Sequence, residues 1–418
     1  MKNKIINNYF LLLFSIIPIS IFAGSGFSVS NILLIDISFL IYIIYLKDFS
    51  FLKDNSIKYL IIFYLYLIFN SFISIDSDLG LLRNFGFIRV IIFFIALNYF
   101  FNQKLFLDKL LFIWLLIFLV VIIDIYYERL NGTNLMGYPK DSTIYFGERV
   151  VSFFRDEPIV GGFVNAFYLI LIGFLLNKFG PQKSNYILIL SIIFLFSILA
   201  TGERSNTLRA SLGILLMFFF YKDFSIKFKV ISFLLTVVAL FFLISNSLFL
   251  QGRFITQFKQ ALTNDWLYLK IYKSGFKVFE NYPFFGVGNK NYRIESCEDP
   301  NKNNIENKKK YQCTTHPHQI YLEFLSEHGL LGTLLMFYLL YKLIFSKIKI
   351  VLRDSNYLQL GSLIYLTLVF LPLIPSGSFF NDYMLTLFVI NLSIFYASSL
   401  NLNIFQNNNK TDYKKFND

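Results

Sequence analysis

The sequence has 418 residues, of which 56% are hydrophobic, 20% aromatic and 15% charged, and its formal net charge is +12. Soluble domains carry about 25% charged residues and disordered chains are poor in aromatic residues, so this composition argues against both classes. Two cysteines and three histidines exclude a zinc ribbon and a cysteine-rich scaffold. The positive charge leaves nucleic acid and membrane open as partners until the basic residues are located.

Apolar stretches of the length that crosses a bilayer, about 17–25 residues, recur along the whole chain. The sequence therefore predicts an all-α fold, a polytopic helical membrane protein with about twelve transmembrane helices. We expect residues 1–400 to form a single transmembrane domain. A cleaved signal peptide is an alternative for residues 1–24, although Pro18 interrupts the apolar run. The predicted spans are 8–24, 29–46, 58–75, 83–101, 109–127, 159–177, 186–202, 206–221, 228–249, 329–346, 357–375 and 381–400.

The basic residues of the short segments fall on one side of these spans. Because Lys and Arg in short loops mark the cytoplasmic side, both termini are predicted to be cytoplasmic in a bacterial inner membrane. This distribution explains the charge by topology and removes the need for a nucleic-acid partner. The nineteen residues are Lys2, Lys4, Lys47, Lys53, Lys58, Lys104, Lys109, Lys178, Lys183, Lys222, Lys227, Lys229, Lys342, Lys347, Lys349, Arg353, Lys410, Lys414 and Lys415.

Two longer loops, about 128–158 and 250–318, lie on the outer, periplasmic face in this topology. Loops longer than about 60 residues escape the positive-inside bias, so the eleven Lys or Arg of loop 250–318 indicate an anionic ligand. An oxidising compartment would join Cys297 and Cys313 of this loop in a disulfide, the alternative being two free thiols. Residues 401–418, rich in Asn and Lys, are predicted to form a disordered cytoplasmic tail.

Within the second loop, residues 265–281 have the pattern of an amphipathic helix. Such a helix either lies in the membrane interface or packs on the helical bundle, and the sequence leaves both open. Its predicted apolar face is Leu269, Tyr272, Phe276 and Phe279, and its polar face is Lys270, Lys273, Lys277 and Glu280.

Ionisable residues inside predicted spans are costly and are therefore candidates for function. Asp36, Arg89, Asp124 and Arg209 are such residues, and a structural pairing of Asp36 and Arg89 with each other or with neighbours is the alternative. Arg204 lies in a tight outer loop, five residues before Arg209. An arginine at the outer surface suits a phosphate, because its planar fork binds two oxygens at once; a snorkelling or ion-paired side chain is the alternative.

All three histidines lie within thirteen residues, at His316, His318 and His328. His316 and His318 stand where the second loop enters a predicted span. A histidine there suits a general base, because its ordinary pKa is near 6.5; a capping or core histidine is the alternative. No metal site is predicted, because Pro317 interrupts the pair and no His/Glu spacing matches a zinc protease.

Four segments resemble motifs of the O-antigen ligase and O-antigen polymerase superfamily, and they follow one another in that family's order. They are His318-Gln319 with Gly329 and Gly332-Thr333 (its histidine signature), Arg204 to Leu208 (its Arg-x-x-x-Leu element), 282–288 with Tyr292-Arg293 (its Pro-hydrophobic-Gly-Val-Gly segment) and 154–161 (a further outer-face element).

The resemblance implies a membrane glycosyltransferase whose donor is an undecaprenyl-diphosphate-linked glycan, with no metal, nucleotide or other cofactor. It implies that His318 is the catalytic histidine and that Arg204 and Arg293 engage the diphosphate. Cations stabilise the charge that develops on the leaving phosphate, and Arg209 is a third candidate for this role. The predicted supporting residues are Gln319, His316, Arg155 and Glu157.

The leading hypothesis is an O-antigen ligase-like enzyme of the periplasmic face, with lipid A-core as acceptor and membrane lipids around it. The runner-up is an O-antigen or exopolysaccharide polymerase of the same superfamily, which adds the chain to another lipid-linked glycan. A lipid or sugar transporter is the alternative of a different class, but it would place its polar residues near mid-membrane. A ligase that glycosylates proteins is a further alternative.

Overall fold

The computed structural model describes residues 2–140, 149–155, 157–263, 266–297, 311–399 and 401–405. This part of the chain is helical, with one isolated β-bridge between Thr133 and Pro139, so the all-α prediction is confirmed. The helices are α1 Lys2–Ser15, α2 Ile17–Ala23, α3 Ser25–Leu46, α4 Asn55–Phe72, α5 Ser77–Phe85, α6 Ile88–Phe101, α7 Lys104–Asn131, α8 Val160–Thr201, α9 Arg204–Phe220, α10 Ile226–Ser245, α11 Leu248–Leu250, α12 Gln257–Ala261, α13 Leu267–Asn281, α14 Tyr292–Cys297, α15 Ile320–Leu343, α16 Ile348–Asp354, α17 Tyr357–Val369 and α18 Asp382–Ala397. A π-helical turn covers Gln251–Thr256.

Eight helical segments of the described chain are long and apolar enough to cross a membrane. This number and their composition are those of a multi-pass membrane protein. The segments are Lys4–Ala23, Ser25–Leu46, Ser77–Phe101, Lys104–Asn131, Val160–Gly180, Gln182–Thr201, Ile226–Ser245 and Ile320–Asp354.

The other four predicted spans coincide with helices outside this set of eight. Two of them, α17 and α18, have 13 and 16 residues. At a rise of about 1.5 Å per residue, α17 is shorter than the roughly 30 Å hydrocarbon core. The total of twelve spans therefore stays a prediction. The four are the helices Asn55–Phe72, Arg204–Phe220, Tyr357–Val369 and Asp382–Ala397.

The helical segment α8 organises the bundle. Its backbone is non-helical at Lys183, where φ is −131° and ψ is 21°, and the chain folds back there. Its two halves, Val160–Gly180 and Gln182–Thr201, coincide with two predicted spans, and the fold brings Gly161 next to Glu203. α8 packs against α7, α9 and α17, and α18 packs on α6 and α17. Aromatic rings fill the interfaces: the Trp114 ring of α7 meets Phe167 of α8 edge to face at 5.3 Å. α10, by contrast, buries little of its surface in the protein, as expected for a helix that faces lipid.

The predicted amphipathic helix exists as α13, and it packs on α15, which decides between the two alternatives in favour of the bundle. The predicted apolar face is only partly correct, since Leu269, Tyr272 and Phe279 are half-buried and do not form the buried centre of the contact. The buried residues are Ile271, Ser274, Gly275 and Val278, whereas Phe276 is 49% exposed. Small residues occupy the buried face because α13 lies very close to the segment that leads into α15: a Cβ on Gly275 would lie 2.9 Å from Pro317 Cβ.

Arg89 and Asp124, two of the ionisable residues of the spans, have structural partners, whereas the buried carboxylate of Asp36 has no hydrogen-bond partner within the described part of the chain. Arg89 pairs with Asp382, which Arg83 also contacts at 2.9 Å, so Arg89 takes this neighbour and not Asp36. Asp124 accepts hydrogen bonds from the Leu135 amide at 2.7 Å and from the Ser152 hydroxyl at 2.5 Å. Asp124 thus anchors the loop that follows α7.

The beginning of the predicted disordered tail is packed. Leu402, Ile404 and Phe405 are buried, and the Phe405 ring lies 5.6 Å from Phe51 and 5.2 Å from Tyr99. The prediction of disorder from residue 401 is therefore wrong for 401–405, because apolar side chains among the asparagines find a place in the core. Residues 406–418 lie outside the described part of the chain.

Candidate functional site

A cavity of about 1100 Å³ opens where the α2–α3 turn, the start of α9 and the segment between α17 and α18 meet. Five of the residues predicted from the sequence line it: Arg155, Glu157, Arg204, Arg209 and His318. These residues come from three separate stretches of the chain. The fold therefore gathers the predicted outer-face residues at one place.

His318 lies just before α15 and faces the cavity. Its φ is +53°, a left-handed conformation that histidine adopts more readily than most residues. Its carbonyl oxygen accepts a 2.9 Å hydrogen bond from the Ser376 amide, and its ring meets Tyr268 edge to face at 5.8 Å. Burial lowers the pKa of His318, so the imidazole is neutral near pH 7 and able to accept a proton.

The other two histidines do not line the cavity. The centroid of the His316 ring lies 4.0 Å from that of His318, and its Nδ1 is 3.0 Å from the Thr315 hydroxyl. Burial, with His318 and Lys290 nearby, lowers the pKa of His316 to about 3. His328 is fully buried next to the rings of Tyr66 and Phe380, at 5.8 and 5.2 Å. His316 is thus placed to support His318, whereas His328 is a core residue.

Gln319, the second residue of the histidine motif, caps α15. Its side-chain oxygen accepts a hydrogen bond from the Leu322 amide at 2.8 Å. The cap satisfies a backbone N–H that the first turn of a helix otherwise leaves without a partner. The cap fixes the point at which the chain leaves His318 and enters the helix.

A glycine of the histidine motif, Gly329, lies at a break in the helical backbone of α15. Gly329 has φ +62° and ψ −169°, and the segment 283–288 lies in the break. Carbonyl groups of the segment 283–288 accept hydrogen bonds from the amides of Leu330 and Leu331 at 2.7 and 3.1 Å. In return, the amides of residues 287 and 288 donate to the carbonyls of residues 326 and 327, both at 2.9 Å. A Cβ on Gly286 would lie 2.3 Å from the Glu327 carbonyl carbon. Two motifs that are about forty residues apart in sequence are therefore one structural unit.

The buried carboxylate of Glu323 holds the loop between α17 and α18, whose Ser376 amide bonds to the carbonyl of His318. Glu323 accepts hydrogen bonds from the Ser378 hydroxyl at 2.5 Å and from the Phe379 amide at 2.9 Å. The Lys290 ammonium group also contacts the Ser378 hydroxyl. These contacts fix the loop between α17 and α18, which carries Ser376. Glu323 and Lys290 are therefore positioning residues for His318.

The cavity holds a group of arginines, and two of them, Arg149 and Arg253, were not predicted from the sequence. Arg253 is 5% exposed, and two of its guanidinium nitrogens donate to the Gly202 carbonyl at 3.1 and 2.9 Å. Burial and the charges of Arg204 and Arg149 lower the pKa of Arg253 to about 10. Positive charges gathered at one place repel one another, and a bound anion offsets part of that repulsion.

Arg209 is buried one turn below Arg204. Its Nε donates to the Leu368 carbonyl at 3.2 Å, and one terminal nitrogen donates to the Pro375 carbonyl at 3.4 Å. Arg209 therefore ties α9 to the end of α17 and to the cavity loop, and it adds positive charge from below. Arg204 is half-buried at the first position of α9, where the helix N-terminus adds a further partial positive charge.

Glu203 is a half-buried acid at the cavity wall. Its carboxylate accepts from the Gly161 amide at 2.5 Å and from the Asn206 side chain at 2.7 Å. Burial raises its pKa in spite of these hydrogen bonds. Glu203 thereby joins the start of α8 to the start of α9. Arg155 and Glu157, on the neighbouring loop, are exposed and line the mouth of the cavity.

Arg293 does not join this group. It is exposed on α14 and does not line the cavity. The nearby cysteines form the expected disulfide, Cys297–Cys313, with Cα atoms 4.7 Å apart, which ties α14 to the segment that leads to His316. Loop 250–318 therefore contributes arginine to the cavity through Arg253, at its beginning.

Sequence reasoning missed Arg149, Arg253 and the aromatic pair Trp266 and Tyr268. Arg253 is one of the eleven basic residues of loop 250–318, and no motif distinguishes it from the others. The aromatic pair lies in a chain that is 20% aromatic, so composition gave no signal. Only their positions in the folded chain identify these four residues as part of the cavity wall.

The comparison with known families gives one match. Residues 189–337 match the family model described as O-Antigen ligase, which confirms the resemblance to the O-antigen ligase superfamily. The matched segment runs from the second half of α8 to the middle of α15 and contains Arg204, Arg209, Arg253 and His318. No curated protein matches the chain.

Proposed function

We propose that this chain is a membrane glycosyltransferase that moves a glycan from undecaprenyl diphosphate to an acceptor hydroxyl. The family match indicates a ligase- or polymerase-type function in O-antigen biosynthesis. The observation that carries the finer proposal is the cavity shared by His318 and the arginines Arg204, Arg209 and Arg253. We favour an O-antigen ligase-like reaction with lipid A-core as acceptor, on the periplasmic face of the inner membrane.

The arginines suit the leaving group. When the acceptor oxygen bonds to C1 of the glycan, the bond between C1 and the diphosphate oxygen breaks and its electron pair stays on that oxygen. Diphosphate needs no proton to leave, but its growing charge needs cations. The guanidinium of Arg253 is held by the Gly202 carbonyl before substrate arrives, so little reorganisation is required.

His318 suits the acceptor. The hydroxyl proton passes to the neutral imidazole as the new C–O bond forms, and the imidazolium then releases it to water. The lowered pKa of His318 keeps the base unprotonated at neutral pH. The Ser376 amide and the Gln319 cap hold the backbone of His318 at both sides, so the ring keeps its place at the cavity wall.

The polyprenyl chain has an apolar wall available. Ile21 of α2 and Leu240 and Ile244 of α10 line the same cavity as the arginines. α10 is the candidate span with the smallest buried share, so a lipid beside it has access from the bilayer. The charged head of the donor would then lie at the arginines while its tail extends along these helices.

A transporter is the competing class. A transport pathway would place polar residues near the middle of the membrane, between helix bundles. Here the charged side chains and the histidine of the cavity stand in loops or within two turns of a helix end: Arg204 begins α9, Arg209 follows five residues later, and His318 precedes α15. This distribution favours an enzyme.

The experiment is deletion of the gene, followed by electrophoresis of the surface polysaccharide. Loss of all lipid A-attached chains, with accumulation of lipid-linked polymer, supports the ligase. A ladder collapsed to one repeat unit supports a polymerase. An unchanged polysaccharide, with altered uptake or export of lipid-linked sugar, would support a transporter and contradict the proposal.

Site variants test the residues in the same background. His318→Ala and Arg204→Ala should each fail to restore polysaccharide transfer at normal protein level. Arg353→Ala is the matched control, because that arginine side chain is 75% exposed and lies far along the chain in α16. Full activity of both site variants would contradict the assigned roles.

A further inference from the structure

An aromatic pair stands beside His318 at the cavity wall. Trp266 and Tyr268, at the start of α13, both line the cavity, and their ring centroids lie 5.4 Å apart. Both are partly exposed. Tyr272 supports them from one turn further along α13, with its ring 5.9 Å from Trp266 and 6.3 Å from Tyr268. The pair is therefore a braced aromatic surface that is open to the cavity.

Tyr268 lies between the two chemical parts of the site. Its ring meets the His318 ring edge to face at 5.8 Å. Its phenol is also within electrostatic range of the guanidinium groups of Arg204 and Arg253. In the proposed reaction the atom that lies between the phosphate and the base is C1 of the transferred sugar.

We propose that Trp266 and Tyr268 form a binding platform for the first sugar of the donor glycan, the one joined to the diphosphate. This assignment rests on the proposed function and extends it to the sugar. The C–H face of a pyranose ring is apolar and packs on aromatic rings, while its hydroxyls point outward to polar partners. A sugar stacked here would have its C1 held between the arginines and His318.

The polyprenyl chain is the competing occupant of an aromatic surface. The aromatic pair, however, lies among arginines and His318, where a hydrocarbon chain would desolvate charges without pairing them. The aliphatic wall of α2 and α10 gives the chain another path within the same cavity. The positions of the two surfaces therefore favour the sugar at Trp266 and Tyr268.

The chain offers an internal probe for the test. It has two tryptophans, and Trp114 is 1% exposed in the core with its indole N–H bonded to the Phe14 carbonyl. Trp266 is thus the one that a ligand in the cavity can reach. We would titrate the purified protein in nanodiscs with undecaprenyl diphosphate, and separately with undecaprenyl diphosphate that carries one N-acetylglucosamine.

The sugar-bearing lipid should shift or quench the tryptophan emission, and the sugar-free lipid should change it much less. Trp266→Phe should abolish the response. In an independent binding assay, Tyr268→Ala should lower the affinity for the sugar-bearing lipid by about three- to tenfold, as expected for loss of one stacking contact. Its affinity for the sugar-free lipid should stay unchanged. Phe276→Ala is the control, since Phe276 is an exposed aromatic of α13 outside the cavity.

The outcomes separate this inference from the proposed function. The sugar platform would be overturned if Tyr268→Ala lowered the affinity for both lipids equally, or if it lowered the affinity for neither. A wild-type protein that binds neither lipid, or binding of the sugar-free lipid that survives Arg204→Ala and Arg253→Ala together, would overturn the diphosphate site itself.

Discussion

The backbone amide of Ser376 donates a 2.9 Å hydrogen bond to the carbonyl oxygen of His318. It joins the loop between α17 and α18 to the residue proposed as the base, and it stabilises a histidine whose φ is +53°. Left-handed backbone in a residue other than glycine costs free energy and persists only where neighbours impose it.

Removal of this amide should therefore release His318. We expect Ser376→Pro, which lacks the N–H, to lower kcat by at least about tenfold. Ser376→Ala keeps the N–H and should retain most of the activity. The measurement is single-turnover transfer by purified protein in nanodiscs. If both variants behave alike, the hydrogen bond does not position His318.

The pH profile of the reaction reports on His318. Burial lowers the pKa of this imidazole below its ordinary 6.5, so the basic form persists to lower pH than usual. The sign follows: kcat/KM should be level above pH 6.5 and should fall only below it, as the base becomes protonated. Rates measured from pH 4.5 to 8.5 test this. A fall centred above pH 6.5 would rule out His318 as the base with this environment.

The two arginines of loop 250–318 give opposite expectations. The motif resemblance favours Arg293, whereas the structure places Arg253 in the cavity and Arg293 outside it. We expect Arg253→Ala to lower kcat/KM by about a hundredfold, the usual effect of losing one group that stabilises developing charge. Arg293→Ala should stay within about twofold of the parent.

Steady-state kinetics with a fixed acceptor make this comparison, with protein level and thermal stability checked for both variants. Arg253→Lys should rescue little, because an ammonium group cannot reproduce the two hydrogen bonds to the Gly202 carbonyl. Loss of activity in Arg293→Ala alone would restore the assignment made from the sequence.

The break in α15 predicts a stability effect. At Gly329 a side chain would be strained by the backbone, and its Cβ would lie 2.3 Å from the Phe284 carbonyl carbon. We expect Gly329→Ala to destabilise the protein by at least about 2 kcal/mol, seen as a lower Tm in detergent. Gly26→Ala is the control, because its Cβ would meet nothing within 4 Å. Equal Tm values for the two variants would contradict the role of the break.

The sequence by itself determined the membrane class and the main motif residues. Long apolar runs predict helices because helices satisfy the backbone hydrogen bonds within a bilayer, and the regular structure of the described chain is helical apart from one isolated β-bridge. The α13 segment was also predicted within two residues of its observed start. The motifs that contain His318 and Arg204 lie on one predicted face, and the structure places both residues, together with Arg209, at one cavity.

Only the tertiary structure decided which side chains share the cavity and which residues hold them there. Arg253 and Arg293 are both loop arginines, and their difference lies in burial and in neighbours from distant parts of the chain. In the same way, Phe276 has the apolar character of a contact residue, yet Gly275 makes the contact. The reason is that the close approach of α13 to its neighbour leaves room only for a small residue. Local pattern specifies periodicity and charge; long-range packing sets the distances on which this chemistry depends.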